Sequence, residues 1–261
     1  MRNEVKRLLD SLSAGGKQDF DLHMHTTFCD GKNTPEEMVL SAIEKGLKTV
    51  GISGHALTPF DRDYCMNNEN IADYFSEVEG LKEKYSDKIK VLCGLEIDYY
   101  SDVPEEYVKR ADYILGSVHY ILKDGEYVTV DKTADILKEA AERLWGGDVY
   151  AMIDDYYKTV ADVVRKLDPD VIGHIDLITK FIEIDEFFDT SDPRYMESSR
   201  SAAKALIPFG IPFEINYGAI TRGYRTLPYP EKSLLEFIIE NGGRTIKSSD
   251  AHASENILTA E

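Results

Sequence analysis

Seven short apolar runs, with stretches patterned as helices between them, leave this chain few folds to choose from. The runs lie near residues 20–23, 49–53, 90–96, 113–117, 171–174, 212–216 and 245–249, and helices are expected over about 71–84, 133–145, 148–167, 193–207 and 231–241. A further helix begins at Thr34, where Pro35 takes the first helical position and Glu37 is spaced for a capping box. Strands that alternate with helices pair in parallel, because each helix carries the chain back across the sheet. Seven such units favour a barrel over an open sheet. No repeat, low-complexity tract or Pro/Gly/Ser-rich linker divides the 261 residues. A single α/β domain is therefore expected over 1–261, with residues 1–16 as a short amphipathic helical extension.

The chemically unusual residues fall at one side of that scheme. All six histidines stand at or just after a strand end: His23 and His25 at the first, His55 at the second, His119 at the fourth, His174 at the fifth and His252 at the last. Glu96 closes the third run and Asp250 follows the seventh. In parallel α/β folds the C-terminal strand ends share one face, and that face carries the active site. His23-x-His25 and Asp250-x-His252 are i, i+2 pairs, and alternate side chains of an extended chain point the same way. Imidazole nitrogens and carboxylate oxygens ligate zinc, manganese and iron. With Asp30 the candidate ligands number nine, a surplus for one ion, which takes roughly four to six, and adequate for two or three. One histidine at a strand end is ordinarily a hydrogen-bonded structural residue; six there are not explained by core filling.

Charge narrows the partners. The formal net charge of −18 repels a nucleic-acid backbone, so no nucleic-acid partner is expected. The same charge would repel a phosphorylated substrate unless bound cations reverse the sign locally. No run approaches the length of a membrane span, and MRNEVKRLLDSLSAGG is too polar for a secretory signal. Cys29, Cys65 and Cys93 form no CxxC pair, which fits a reducing cytoplasm and packing roles. Tyr150, Tyr156 and Tyr157 read as helix packing, and DEFFDTSD as a solvated loop.

The segments DLHMHTTFCDG, GISGHA, GLEID, GSVH, GHIDL and SSDAH resemble, in order, the motifs of the PHP (polymerase and histidinol phosphatase) superfamily, across about residues 19–253. EINYG near residue 214 and LPYPEKSLL are similar to its histidinol-phosphate phosphatase branch. The resemblance implies a distorted (β/α)7 barrel, TIM-barrel-like, with a trinuclear metal centre at its mouth. On that pattern His23, His25, Glu96 and Asp250 would hold the first metal. Glu96 would bridge to a second, also bound by His119 and His174, and Asp30, His55 and His252 would hold the third. Aspartate at position 30, where other branches have histidine, is similar to the histidinol-phosphatase pattern. SGHA departs from the commoner TDH or SEH but keeps the liganding His55.

The implied reaction is hydrolysis of L-histidinol phosphate to L-histidinol and phosphate, a step of histidine biosynthesis. A phosphate dianion repels incoming hydroxide, so the unaided reaction is extremely slow. Metals about 3.5–4 Å apart would neutralise the dianion and lower the pKa of a shared water, giving a bridging hydroxide for in-line attack. His23, His25, Glu96, Asp250 and His252 would form this catalytic centre, with Asp250 and His252 also candidates for protonating the leaving group. No GxSxG or CxxxxxR motif offers a rival nucleophile. Three divalent ions against three carboxylate ligands make the mouth locally positive. Arg222 and Arg225 follow EINYG, and an arginine there resembles the family's phosphate contact; Lys180, after GHIDL, is a further candidate. Competing readings are a PHP phosphoesterase acting on a phosphotyrosine protein or a nucleotide, a PHP nuclease or polymerase-associated module, and a non-catalytic metal-binding domain. SENILTAE, after SSDAH, reads as the start of a helix covering the last strand.

Overall fold

A computed structural model describes residues 2–13 and 17–260. Among them are the strands β1 (Phe20–Asp21), β2 (Thr49–Ile52), β3 (Lys90–Asp98), β4 (Tyr113–Ser117), β5 (Tyr120–Lys123), β6 (Glu126–Thr129), β7 (Val171–Ile172), β8 (Phe213–Asn216) and β9 (Thr245–Ser248). The helices are α1 (Asn3–Ser13), α2 (Pro35–Glu44), α3 (Ile71–Lys84), α4 (Glu105–Arg110), α5 (Ala134–Trp145), α6 (Val149–Leu167), α7 (Pro193–Leu206), α8 (Gly218–Thr221) and α9 (Lys232–Glu240). Seven strands form one sheet in the order β1-β2-β3-β4-β7-β8-β9, every pair parallel. Beyond β1 and β9 the edges meet: the His25 N–H donates to the Ala251 carbonyl at 2.8 Å and the Ala251 N–H to the His23 carbonyl at 3.2 Å. The result is a nearly closed seven-stranded α/β barrel, as the alternation of runs and helices led us to expect.

Period-two alternation sets which side chains enter the barrel. On β3, Val91, Cys93, Leu95 and Ile97 pack outward in the layer that includes Tyr74, Phe75 and Val78 of α3. Leu92 faces the other way, clustered with Tyr113, Leu115, Val171 and Ile246 and with Val5 and Leu9 of α1. The amphipathic α1 thus plugs the N-terminal end of the barrel, as Arg244 bonding to the Leu9 carbonyl at 2.8 Å also shows. Continued upward, the inward series on β3 reaches Glu96 and Asp98 at the opposite end. Tyr113 spans the interior, its hydroxyl donating to the Leu22 carbonyl at 2.6 Å. Gly51 and Gly94 make room for it, since a Cβ at either would overlap the Tyr113 side chain.

Some boundaries differ from expectation. β1 and β7 each end two residues early, where the backbone turns to aim His23 and His174 inward, and β3 runs two residues longer. The capping box of α2 is present: the Thr34 hydroxyl accepts the Glu37 N–H at 3.3 Å and the Glu37 carboxylate accepts the Thr34 N–H at 2.8 Å. SENILTAE does not become a helix. Through residue 260 it forms only a single 3-10 turn, Ser254–Asn256, and Lys45 bonds the carbonyls of Glu255 (2.6 Å) and Ile257 (2.7 Å). The β5–β6 hairpin was not expected. Its turn is Asp124-Gly125, both at positive φ (51° and 84°), the pairing a tight hairpin favours. No helix among the described residues is long and apolar enough to cross a membrane.

Candidate metal centre

Glu96 organises the C-terminal mouth. Its Oε2 lies 3.1 Å from His23 Nε2, 3.0 Å from His55 Nδ1 and 3.4 Å from His25 Nε2. Its Oε1 lies 3.0 Å from His174 Nε2 and 3.5 Å from His119 Nε2, and accepts the Ser117 hydroxyl at 2.7 Å. One carboxylate therefore touches five imidazoles from four strand ends. A backbone bridge between His55 and Glu96 brings the second strand end alongside the third.

Asp250 Oδ1 lies 3.3 Å from His25 Nε2 and 3.7 Å from His23 Nε2. Its backbone is left-handed, with φ at 48°, a conformation that aspartate tolerates better than most residues. Gly218 faces it, and a Cβ there would strike the Asp250 carboxylate. Asp30 sits further out, its Oδ2 3.2 Å from His252 Nε2 and its Oδ1 3.7 Å from His25 Nδ1 and 3.9 Å from His55 Nε2.

All nine residues singled out as ligands fall into four overlapping groups: His25, Asp30, His55 and His252; His23, Glu96 and His174; His23, His25 and Asp250; His55, Glu96 and His119. His25 belongs to the outer group as well as the inner one, and His55 also approaches Glu96, which the resemblance did not imply.

The donor set fits divalent cations. His23 Nε2 and His25 Nε2 are 3.1 Å apart, and both face Glu96. Burial pushes the Glu96 pKa up, but His55, His23 and His119 hold it well below the usual carboxylate range. Burial opposes ionisation of Asp250 too, and Arg222 and His23 outweigh it. Burial and the neighbouring His252 and His55 push His25 down to about 3, so its ring is neutral at physiological pH and free to ligate. Burial lowers the His23 pKa, but Glu214 and Glu96 outweigh it and raise it, and Glu96 likewise raises His55 and His119, so this buried spot draws positive charge of the kind divalent cations supply.

Beside the cluster opens a cavity of about 280 Å³. Arg222 and Lys180 line it, together with Asp61, Asp131, Tyr64 and Tyr120. Arg222 donates to Asp250 Oδ2 at 3.0 Å and lies 2.8 Å from His252 Nδ1, and its buried Nε has no partner among the described residues. Lys180 donates to the Asp131 carbonyl at 2.6 Å. Arg225 is a correction: it does not reach the cavity. Its buried guanidinium is committed to Glu231 at 2.9 Å and to the Thr179 hydroxyl, over the Tyr229 ring at 5.0 Å. The loop between the two arginines turns at Gly223, φ 78°. Cys65 and Cys93 are buried, whereas Cys29 is half-buried with its Sγ 3.6 Å from His25 Nδ1.

Sequence reasoning passed over Asp61, Tyr64, Tyr120 and Asp131. Tyr64 packs edge-on against His55, ring centroids 4.7 Å apart, and Asp61 accepts the Tyr120 hydroxyl at 2.9 Å. The Asp-Gly turn that builds the hairpin was the available signal for Tyr120. Glu214 was also missed as a partner of the cluster; a carboxylate inside the apolar EIN strand was its signal.

A family profile described as the PHP domain matches residues 21–218. The histidinol-phosphatase of Bacillus subtilis is 26% identical to this chain over 260 residues, 92% of this chain and 96% of that protein. Among solved structures, a Listeria monocytogenes protein superposes with a TM-score of 0.80 at 24% identity, over 91% of this chain and 97% of that one. The histidinol phosphate phosphatase of Lactococcus lactis, complexed with zinc, L-histidinol and phosphate, gives a TM-score of 0.64 at 23% identity, over 90% of this chain and 86% of that one.

Proposed function

This chain belongs to the PHP domain family, and from that premise we propose that it is a metal-dependent phosphomonoester hydrolase converting L-histidinol phosphate and water to L-histidinol and phosphate. The observation that carries the reading is the meeting of nine candidate ligand side chains, Glu96 among them, at one barrel mouth, beside a cavity lined by Arg222 and Lys180 and by several carboxylates. Curated relatives over most of the chain are histidinol-phosphatases, and the Lactococcus lactis structure holds zinc with L-histidinol and phosphate.

Two or three divalent ions, zinc, manganese or iron, would be held by His23, His25, Asp30, His55, Glu96, His119, His174, Asp250 and His252. Such ions supply Lewis acidity at phosphate oxygens and lower the pKa of bound water towards neutrality. The protein's own groups do the rest. Arg222 and Lys180, both lining the cavity, would supply a guanidinium and a point charge to the phosphate. Tyr64 and Tyr120 exclude water from one flank, which strengthens every charge interaction inside. Asp61 and Asp131 offer carboxylates to the amine and imidazole of the alcohol that departs.

Protein stripped with a chelator and reloaded with zinc, manganese or iron should release phosphate from L-histidinol phosphate. Its kcat/KM for that ester should exceed those for a phosphotyrosine peptide and a nucleotide, and a single-stranded oligonucleotide should not be cut. Glu96→Gln should lower turnover by at least about a hundredfold. Turnover indifferent to chelator, or a higher kcat/KM for another ester, would overturn the assignment.

A further inference from the structure

The EIN strand carries a fully buried acid, Glu214, that the ligand set leaves unused. We propose that Glu214 is a positioning residue: it ties three ligand-bearing strand ends into one frame and sets His23 in the tautomer that presents a bare Nε2 to the metal centre. The inference rests on the functional reading only in taking His23, His174 and Asp250 as ligands of divalent cations.

Every oxygen of this carboxylate is occupied. Oε1 lies 2.6 Å from His23 Nδ1 and accepts the Ser248 hydroxyl. Oε2 accepts the His174 backbone N–H and the Asn216 side-chain amide, each at 2.8 Å. The same amide reaches Asp250 Oδ2 at 3.3 Å. Glu214 on β8 is thereby joined to the exits of β1, β7 and β9, and four donors use the roughly four acceptor sites that a carboxylate has.

The tautomer follows from the short contact. An ionised carboxylate 2.6 Å from Nδ1 keeps a proton on that nitrogen, which leaves Nε2 as the one that can exchange its proton for a metal. Nε2 stands 3.1 Å from both Glu96 Oε2 and His25 Nε2, a place that calls for positive charge between them. A ligating histidine held through its other nitrogen by a carboxylate is a better base and cannot rotate. Glutamine at this position keeps the size but turns one acceptor into a donor. Either the His23 Nδ1–H or the His174 N–H then loses its partner.

The test reads zinc binding and needs no substrate. Zinc is titrated into chelator-stripped wild-type protein and into Glu214→Gln against a chromophoric competitor, with circular dichroism as the check on folding. The expected result is a loss of about 10- to 100-fold in affinity for at least one zinc equivalent. A folded Glu214→Gln that binds zinc with wild-type affinity and stoichiometry overturns the proposal. Should Glu214→Gln not fold, ¹⁵N-histidine spectra of zinc-loaded wild type decide. His23 protonated at Nδ1 and shifted by metal at Nε2 supports the proposal; His23 ligating through Nδ1, or doubly protonated, overturns it. Wild type that binds no zinc overturns both this inference and the functional reading. Wild type that binds zinc but hydrolyses no ester sinks the functional reading alone.

Discussion

Arg222 and Arg225 are three residues apart in one loop and chemically alike, yet they do different work. Arg222 is at the cavity, bonded to Asp250 and close to His252. Arg225 is locked between Glu231 and Thr179, with its side chain 1% exposed. Arg222→Ala should lower kcat/KM for the phosphate ester by roughly 10- to 200-fold, the worth of a charge-assisted hydrogen bond, and should also lower the melting temperature, because buried Asp250 loses its cation. Arg225→Ala should spare kcat/KM. It strands Glu231, which is partly exposed, so the loss of stability should be about 2–3 kcal/mol, with KM nearly unchanged in the protein that remains folded. Steady-state kinetics and thermal melts on both variants check the pair. Nothing in RGYR distinguishes the two arginines, because their directions depend on a glycine turn and on partners over forty residues away at Thr179 and Glu183. The candidate ligands were legible for the opposite reason. Residue type and a place just after an apolar run are local features that need no distant partner.

At the scale of elements, β3 shows how one strand serves both the core and the site. Its odd-numbered residues hold the helix layer, Leu92 packs inside the barrel, and Glu96 reaches the ligands. Gly94 lies between those two inward residues because Tyr113 occupies the space its side chain would take. Gly94→Ala should therefore destabilise the protein by about 3 kcal/mol through overpacking. In a Tyr113→Leu background the same substitution should cost much less, and a double-mutant cycle by urea denaturation would expose that coupling. Equal cost in both backgrounds would contradict the packing account. The strands themselves could be read from their apolar runs and the start of α2 from its capping box. The β5–β6 hairpin could have been read from Asp124-Gly125, yet only the folded chain shows that it brings Tyr120 against Asp61 at the mouth.

For the whole molecule, charge and metal binding are one question. A chain with a net charge of −18 buries Glu96, Asp250 and Glu214 within one cluster, where Arg222 is the nearby guanidinium. Carboxylates taken out of water cost several kcal/mol unless opposite charge meets them. Zinc at a hundred times its dissociation constant should stabilise the fold by about 2.7 kcal/mol, which for a chain of this size is a rise of about 5–10 °C in melting temperature. A chelator should reverse the rise, and Glu96→Gln should blunt it; a melting temperature indifferent to zinc would contradict the account. The sequence by itself determined the parallel alternation of strands and helices and singled out the nine candidate ligands at one end of the barrel, because strand periodicity and residue type are local properties of the chain. The tertiary structure alone decided which imidazoles share Glu96, that Glu214 holds His23, and that Arg222 rather than Arg225 reaches the cavity. Those outcomes depend on barrel closure and on the register between strands, which bring together residues that no local pattern links.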